Sequence, residues 1–377
     1  MEFKLPPFKI ESTQEAVNEI PWGVQMINAP TIWNETQGED VVVCILDTGI
    51  KKDHPDLKDR IIEGVHGGQN FTMDYQGEPN MWEDNNGHGT HVAGTIAASF
   101  DNQGVVGVAP KVKLLIGKVL NQDGMGSLTS IAKAIRWAAD WQLDGKKVRV
   151  ISMSLGGPSD SIELHEAVKY AVSKGIVIVC AAGNSGDGNT GTNEFAYPGV
   201  YPEVIEVAAI DNQKRLATFS NTNSEIDVAA PGVSILSTTK DGLYGFMSGT
   251  SMATPHVAGA VALLINLYEK RLNKTLNVDE IRQVLKQHTQ DTVIDATGEG
   301  AGIVDLAKEY IAPQPKRLVK MWINQHTVED NGKILQVGQP PIIVNDTTYL
   351  PVRFLAELLG ARVDWDQENQ RVTLTWY

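Results

Sequence analysis

Val41-Val42-Val43-Cys44-Ile45-Leu46 is a run of six apolar, mostly β-branched residues that stops at Asp47-Thr48-Gly49. A continuous apolar run of this length, closed by a turn, is the pattern of a strand buried on both faces of a parallel sheet. Similar runs occupy residues 112–119, 148–153, 175–182 and 204–210. Helical periodicity marks residues 90–98, 130–141, 161–173 and 254–268, and Asn277 with Glu280 forms a capping-box signature ahead of one more helix to His288. Strands alternating with helices predict a doubly wound α/β domain: a mostly parallel sheet with helices on both faces, and functional residues at the carboxyl ends of its strands.

The chain is long enough, at 377 residues, to add a small second unit to such a domain. A break comes at Ala312-Pro313-Gln314-Pro315-Lys316-Arg317, a polar stretch with two prolines. Beyond it the pattern is that of a small α+β module with a helix near 352–359 and a final alternating run. The predicted organisation is an N-terminal extension (1–17), a large domain (18–311), a linker (312–317) and a small module (318–377). From Lys316 onward seven basic and seven acidic residues balance, so the whole net charge of −14 resides in residues 1–315. An acidic chain lacks the field that draws proteins to phosphate backbones or anionic lipid, which argues against nucleic acid and membrane as partners. Two cysteines, Cys44 and Cys180, each inside an apolar run, predict buried thiols and no disulfide framework. The opening MEFKLPPFKI has no apolar signal-peptide core, and no run has the length expected of a membrane span, so a cytoplasmic location is expected.

Three segments set a catalytic residue type among glycines and small residues: Ile45-Leu46-Asp47-Thr48-Gly49, Asn86-Gly87-His88-Gly89-Thr90-His91, and Gly249-Thr250-Ser251-Met252-Ala253-Thr254-Pro255-His256. A serine hydroxyl needs a base to become a nucleophile, and an imidazole that titrates near neutrality supplies one. Asp47 at a strand end can hold His88 in the tautomer that accepts a proton, and Ser251 near a helix start can share that helix's N–H groups with a developing oxyanion. His54, His91 and His256 are read as structural. The order Asp, His, Ser together with these motifs resembles the subtilisin-type serine proteases, and closely the intracellular subtilisins of bacilli. Asp53-His54-Pro55-Asp56-Leu57, Gly107-Val108-Ala109-Pro110, Ser152-Met153-Ser154-Leu155-Gly156-Gly157, Ala181-Ala182-Gly183-Asn184 and Glu194-Phe195-Ala196-Tyr197-Pro198 extend the likeness over residues 1–310.

The resemblance implies a broad-specificity serine endopeptidase acting on polypeptides. Asn184 supplies an oxyanion donor; Gly124, Met125 and Gly126 on one side and Ser154, Leu155, Gly156 and Gly157 on the other line the cleft, with Ala182 and Gly183 in the first side-chain pocket. Relatives of that family carry a glutamate where Ser185 stands, and its loss predicts a weaker preference for basic side chains. Calcium is implied as cofactor, held by Asn18, Asp56 and Asp101 side chains and the carbonyls of Ser99, Gln103 and Val105. Leu5, Pro6, Pro7 and Phe8 stand where the family has an inhibitory motif, so residues 1–17 are expected to hold the enzyme inactive until processed. Residues 318–377 resemble the N-terminal domain of copper amine oxidases, although a lone His326 makes no copper site. A homodimer is left open.

Overall fold

The computed structural model describes residues 2–5, 13–14, 18–310, 319–330, 332–358, 360–368 and 370–376. They divide into two compact units at Tyr310/Ile311. In chain order the first unit's main elements are β1 (Glu2–Lys4), β2 (Val42–Asp47), α1 (His88–Ala97), β3 (Lys113–Lys118), β4 (Met125–Ser127), α2 (Leu128–Asp140), β5 (Lys146–Met153), α3 (Ile162–Ser173), β6 (Val177–Ala181), β7 (Val204–Ile210), β8 (Ile226–Pro231), α4 (Thr250–Leu272) and α5 (Val278–Gln287).

β2 shows why its sequence is apolar throughout. Side chains alternate across a sheet; Val43 and Ile45 join the core beneath α1 and α4, whereas Val42, Cys44 and Leu46 join the core beneath α2 and α3. The sheet runs β8-β7-β6-β5-β2-β3 with every one of these pairs parallel. Gly68–Asn70 extends it past β3, and Ile303–Val304 lies beside β8. This is the doubly wound α/β architecture the strand pattern predicts. β8 escaped that pattern: its Asp227 interrupts the apolar run and is neutralised only by the distant Arg282 and Lys286.

α4 begins four residues before the predicted start. Pro255 lies inside the helix and cannot donate to the Ser251 carbonyl four residues back, which instead accepts Ser154 Oγ at 2.9 Å; residues Thr250 to Tyr268 are all buried. By length and composition this helix could cross a membrane, but it is the core helix of the domain. Asn277 and Glu280 form the expected capping box on α5. Cys44 and Cys180 are free and fully buried, and burial pushes both thiols well above their ordinary range.

The second unit has a three-stranded antiparallel sheet, Val319–Met321, Thr327–Asp330 and Lys333–Gln336. Two antiparallel pairs follow, Ile342–Val344 with Thr347–Tyr349 and Ala361–Asp366 with Arg371–Trp376, and the helix Val352–Leu358 lies between them in sequence. Ala356, Ala361 and Val363 form its small buried cluster.

Candidate active site

Asp47 ends β2 at the carboxyl edge of the parallel sheet, and His88 opens α1. Gly89 allows the two segments to abut, because a Cβ there would collide with the Gly49 carbonyl. The result is a 2.8 Å contact between His88 Nδ1 and Asp47 Oδ1, with each side chain only 1% exposed. The same Oδ1 accepts the Thr48 N–H at 2.7 Å, while Asp47 Oδ2 has no partner among the described residues.

Ser251 lies in the first turn of α4, directly after Gly249 (φ 155°) and Thr250. Its Oγ donates to the Ser154 carbonyl at 3.1 Å, and Ser154 Oγ donates back to the Ser251 carbonyl at 2.9 Å, so the end of β5 and the start of α4 are locked together. Asn184 is oriented by the same helix start. Its Oδ1 accepts from Thr250 N at 2.9 Å and Thr250 Oγ1 at 2.7 Å. That leaves the amide Nδ2 as the free end, beside Gly249: a Cβ on Gly249 would fall 3.1 Å from it.

A cavity of about 410 Å³ opens beside Ser251. Leu155, Gly156, Gly157, Ala181, Gly183 and Asn184 line it; Ser154 and Ala182 do not, the Ser154 hydroxyl donating to the Ser251 carbonyl and Ala182 packing in the cluster of Ala208 and Ile210. Ser185 lines it without charge. Glu194, which the sequence reading quoted only within a family motif and not as a site residue, also lines it; it is the one ionisable residue among the described lining residues, and Thr222 N–H donates to it at 3.0 Å.

The edge formed by Gly124, Met125 and Gly126 is already occupied by the chain's own N-terminus. β1 pairs antiparallel with β4, Phe3 opposite Gly126 and Lys4 opposite Met125, and Leu5 N–H donates to the Gly124 carbonyl at 2.8 Å. Phe3 and Leu5, two residues apart and so on one strand face, are 2% and 4% exposed. Phe3 packs on Gly157, and Leu5 on Gly124. The sequence reading missed Phe3, although the Phe3/Leu5 alternation signals it. Pro6, Pro7 and Phe8 lie outside the described residues.

The residues expected around calcium meet in part. Asp56 is buried, with Val105 N–H donating to its Oδ2 at 3.0 Å and Tyr244 O–H to its Oδ1 at 3.1 Å. Burial pushes the Asp56 carboxyl up to about 6, and the charge of Asp101 adds to the shift. Asp101 accepts the Gln103 N–H at 3.1 Å, and Ser99 donates to the Asp56 carbonyl. The Asn18 backbone pairs with Gly104 in this loop; its side chain lies outside the described residues. Among the described residues no three His, Cys, Asp or Glu side chains form a metal-binding group, so any cation here relies on carbonyl and amide oxygens as well as the two carboxylates.

The three histidines read as structural, His91, His256 and His54, are each held by backbone carbonyls. His91 Nε2 reaches the Ile235 and Gly245 carbonyls, both at 3.0 Å, His256 Nδ1 the Met252 carbonyl at 2.8 Å, and His54 Nε2 the Leu243 carbonyl at 3.1 Å. Burial pushes His91 down to about 3 and His256 to about 4, so both are neutral scaffolding.

Comparison with known proteins agrees with this geometry. Residues 38–304 match the model of the subtilase family, and residues 292–374 that of the copper amine oxidase N-terminal domain. The chain is 51% identical over 300 residues to an intracellular serine protease of Paenibacillus polymyxa, covering 80% of this chain and 89% of that protein. It is 46% identical over 307 residues to the major intracellular serine protease of Bacillus subtilis, covering 81% and 93%. To subtilisin DY of Bacillus licheniformis it is 43% identical over 288 residues, covering 76% and 97%.

Proposed function

The chain belongs to the subtilase family and is a serine endopeptidase, and from that premise we propose that Ser251 is its nucleophile, His88 the general base, Asp47 the group that orients His88, and Asn184 the oxyanion donor. The observation that carries this reading is the buried 2.8 Å pair of His88 Nδ1 and Asp47 Oδ1. An imidazole whose Nδ1–H is committed to a carboxylate presents Nε2 as its proton acceptor. His88 takes the Ser251 proton as Oγ attacks the scissile carbonyl, the negative oxygen is met by Asn184 Nδ2 and the α4 N-terminus, and His88 returns the proton to the leaving amine. Water then repeats the sequence on the acyl group and restores Ser251.

Substrates bind as β1 does, in antiparallel pairing with residues 124–126, so main-chain hydrogen bonds carry affinity and specificity is broad. The cavity beside Ser251, with small walls, takes large apolar side chains. A calcium ion held by Asn18, Asp56 and Asp101 and the carbonyls of Ser99, Gln103 and Val105 stabilises the loop; relief of the Asp56–Asp101 repulsion supports a cation there. Residues 1–17 hold the enzyme inactive until processed: β1 and Leu5 fill the substrate edge, and the Pro6-Pro7 pair withholds the N–H groups a strand would offer. The relatives named intracellular serine proteases support action in the cytoplasm.

The decisive experiment is labelling with a serine-directed fluorophosphonate. The parent chain is labelled and cleaves peptides, and Ser251→Ala does neither; a Ser251→Ala chain that still cleaved peptides would refute the assignment. A chain beginning at Asn18 is more active at once than the full-length chain, and equal initial activity removes the inhibitory role of residues 1–17.

A further inference from the structure

We propose that Asp84 is a positioning residue for the reaction, one that sets His88 against Asp47. Its carboxylate is 5% exposed and receives five hydrogen bonds. Oδ1 accepts from Asn86 N at 3.0 Å, Gly87 N at 2.8 Å and Thr48 Oγ1 at 2.9 Å; Oδ2 accepts from Thr90 N at 2.9 Å and Thr90 Oγ1 at 2.6 Å. Four of these donors belong to the first turn of α1 and the residues leading into it. The N-cap of that helix is Gly87, which has no side chain to cap with, and Asp84 caps it from three residues upstream.

The fifth bond separates this arrangement from an ordinary cap. Thr48 follows Asp47 in the chain, and its hydroxyl donates to Asp84 while accepting the N–H of Gly89, the residue after His88, at 2.9 Å. The neighbour of one partner is thereby tied to the neighbour of the other, through one carboxylate and one hydroxyl. Lys118 Nζ fastens the opposite side of the same turn by donating to the Thr48 carbonyl at 2.7 Å and to Asn85 Oδ1 at 2.9 Å. The Asp47–His88 contact joins segments 41 positions apart, and this bridge fixes its length. All five partners of Asp84 are neutral. Burying a carboxylate among neutral donors is expensive, and its charge-assisted bonds return that cost as rigidity.

The proposal rests on the catalytic reading of Asp47, His88 and Ser251 above. Its test uses the full chain, incubated with calcium until activity is constant, with active sites counted by fluorophosphonate titration. In Asp84→Asn the amide nitrogen faces N–H donors on whichever side it lies, and in Thr48→Val the bridge is lost while the four helix donors keep their acceptor. Each variant is expected to lose about 10- to 100-fold in kcat per titrated site with KM changed less than twofold, because an interaction that aligns the base acts on the chemical step. The double variant is expected to lose little more than the worse single one, since both cut one link. A fall in Tm with kcat per titrated site within twofold of the parent would reduce Asp84 to a helix cap and overturn the proposal. So would fully additive losses in kcat. If Asp84→Asn does not fold, Thr48→Val decides alone. A failure of the underlying catalytic reading shows separately, as a parent chain that the fluorophosphonate does not label.

Discussion

Truncating Phe3 to alanine is the sharpest probe of the proposal that residues 1–17 close the cleft. The ring is 2% exposed and packs on Gly157, whereas the strand pairing of β1 with β4 runs through main-chain atoms that the substitution leaves in place. Full burial of such a side chain contributes about 1.5–3 kcal/mol. If β1 leaves the cleft before substrate can enter, that energy is lost from the closed form alone, and the open fraction rises by roughly 10- to 150-fold. The assay is the rate at which the intact full-length chain is labelled by a fluorophosphonate, with mass spectrometry confirming that residues 1–17 are still attached. Leu5→Ala, at a site 4% exposed, is expected to act in the same direction. Equal labelling rates for parent and Phe3→Ala would refute the argument, because a buried anchor of a closed state cannot be removed without populating the open one.

Asn184→Ala is expected to lower kcat by about 10²- to 10³-fold with KM little changed, the loss that subtilisin itself shows when its side-chain oxyanion donor is removed. Chelation with EDTA should lower Tm by on the order of 5 °C, since a ligand at a hundredfold excess over its Kd contributes about 2.7 kcal/mol; an unchanged Tm would remove calcium from the loop. Glu206 is fully buried, and burial pushes its carboxyl up to about 8, with Asp227 adding to the shift and an Asn223 hydrogen bond opposing it. A carboxyl whose folded-state pKa is raised stabilises the fold below its unfolded pKa and loses that contribution as pH rises toward 8. Stability of the Ser251→Ala chain should therefore fall between about pH 4.5 and 8, and Glu206→Gln should flatten that slope in denaturant titrations; an unaltered slope would mean another group sets it.

The strands that position the site were readable because each is apolar on both faces, which leaves one interpretation for a short unbroken run. β8 was not, since Asp227 becomes acceptable in a strand only through Arg282 and Lys286, far along the chain. The start of α4 was read late for a related reason: Thr250 and Ser251 carry no helical periodicity, and their place in the first turn follows from Asn184 and Ser154 contacts. Asp84 gave no signal at all. Its partners are backbone N–H groups and hydroxyls, which every sequence contains, and their convergence exists only after folding.

Residue identity alone determined which groups this chain can use for chemistry: one alcohol, one imidazole and one carboxylate set among glycines, in an order that matches a single protease family. It also determined the sheet, because apolar runs must be buried. Only the packed structure decided that Asp47 and His88 stand 2.8 Å apart, that the Ser251 hydroxyl rests on Ser154, and that Phe3 pairs with Gly126. Sequence specifies what each group can donate or accept, whereas the distance between groups remote in the chain is set by close packing and shared hydrogen bonds, which no local pattern encodes.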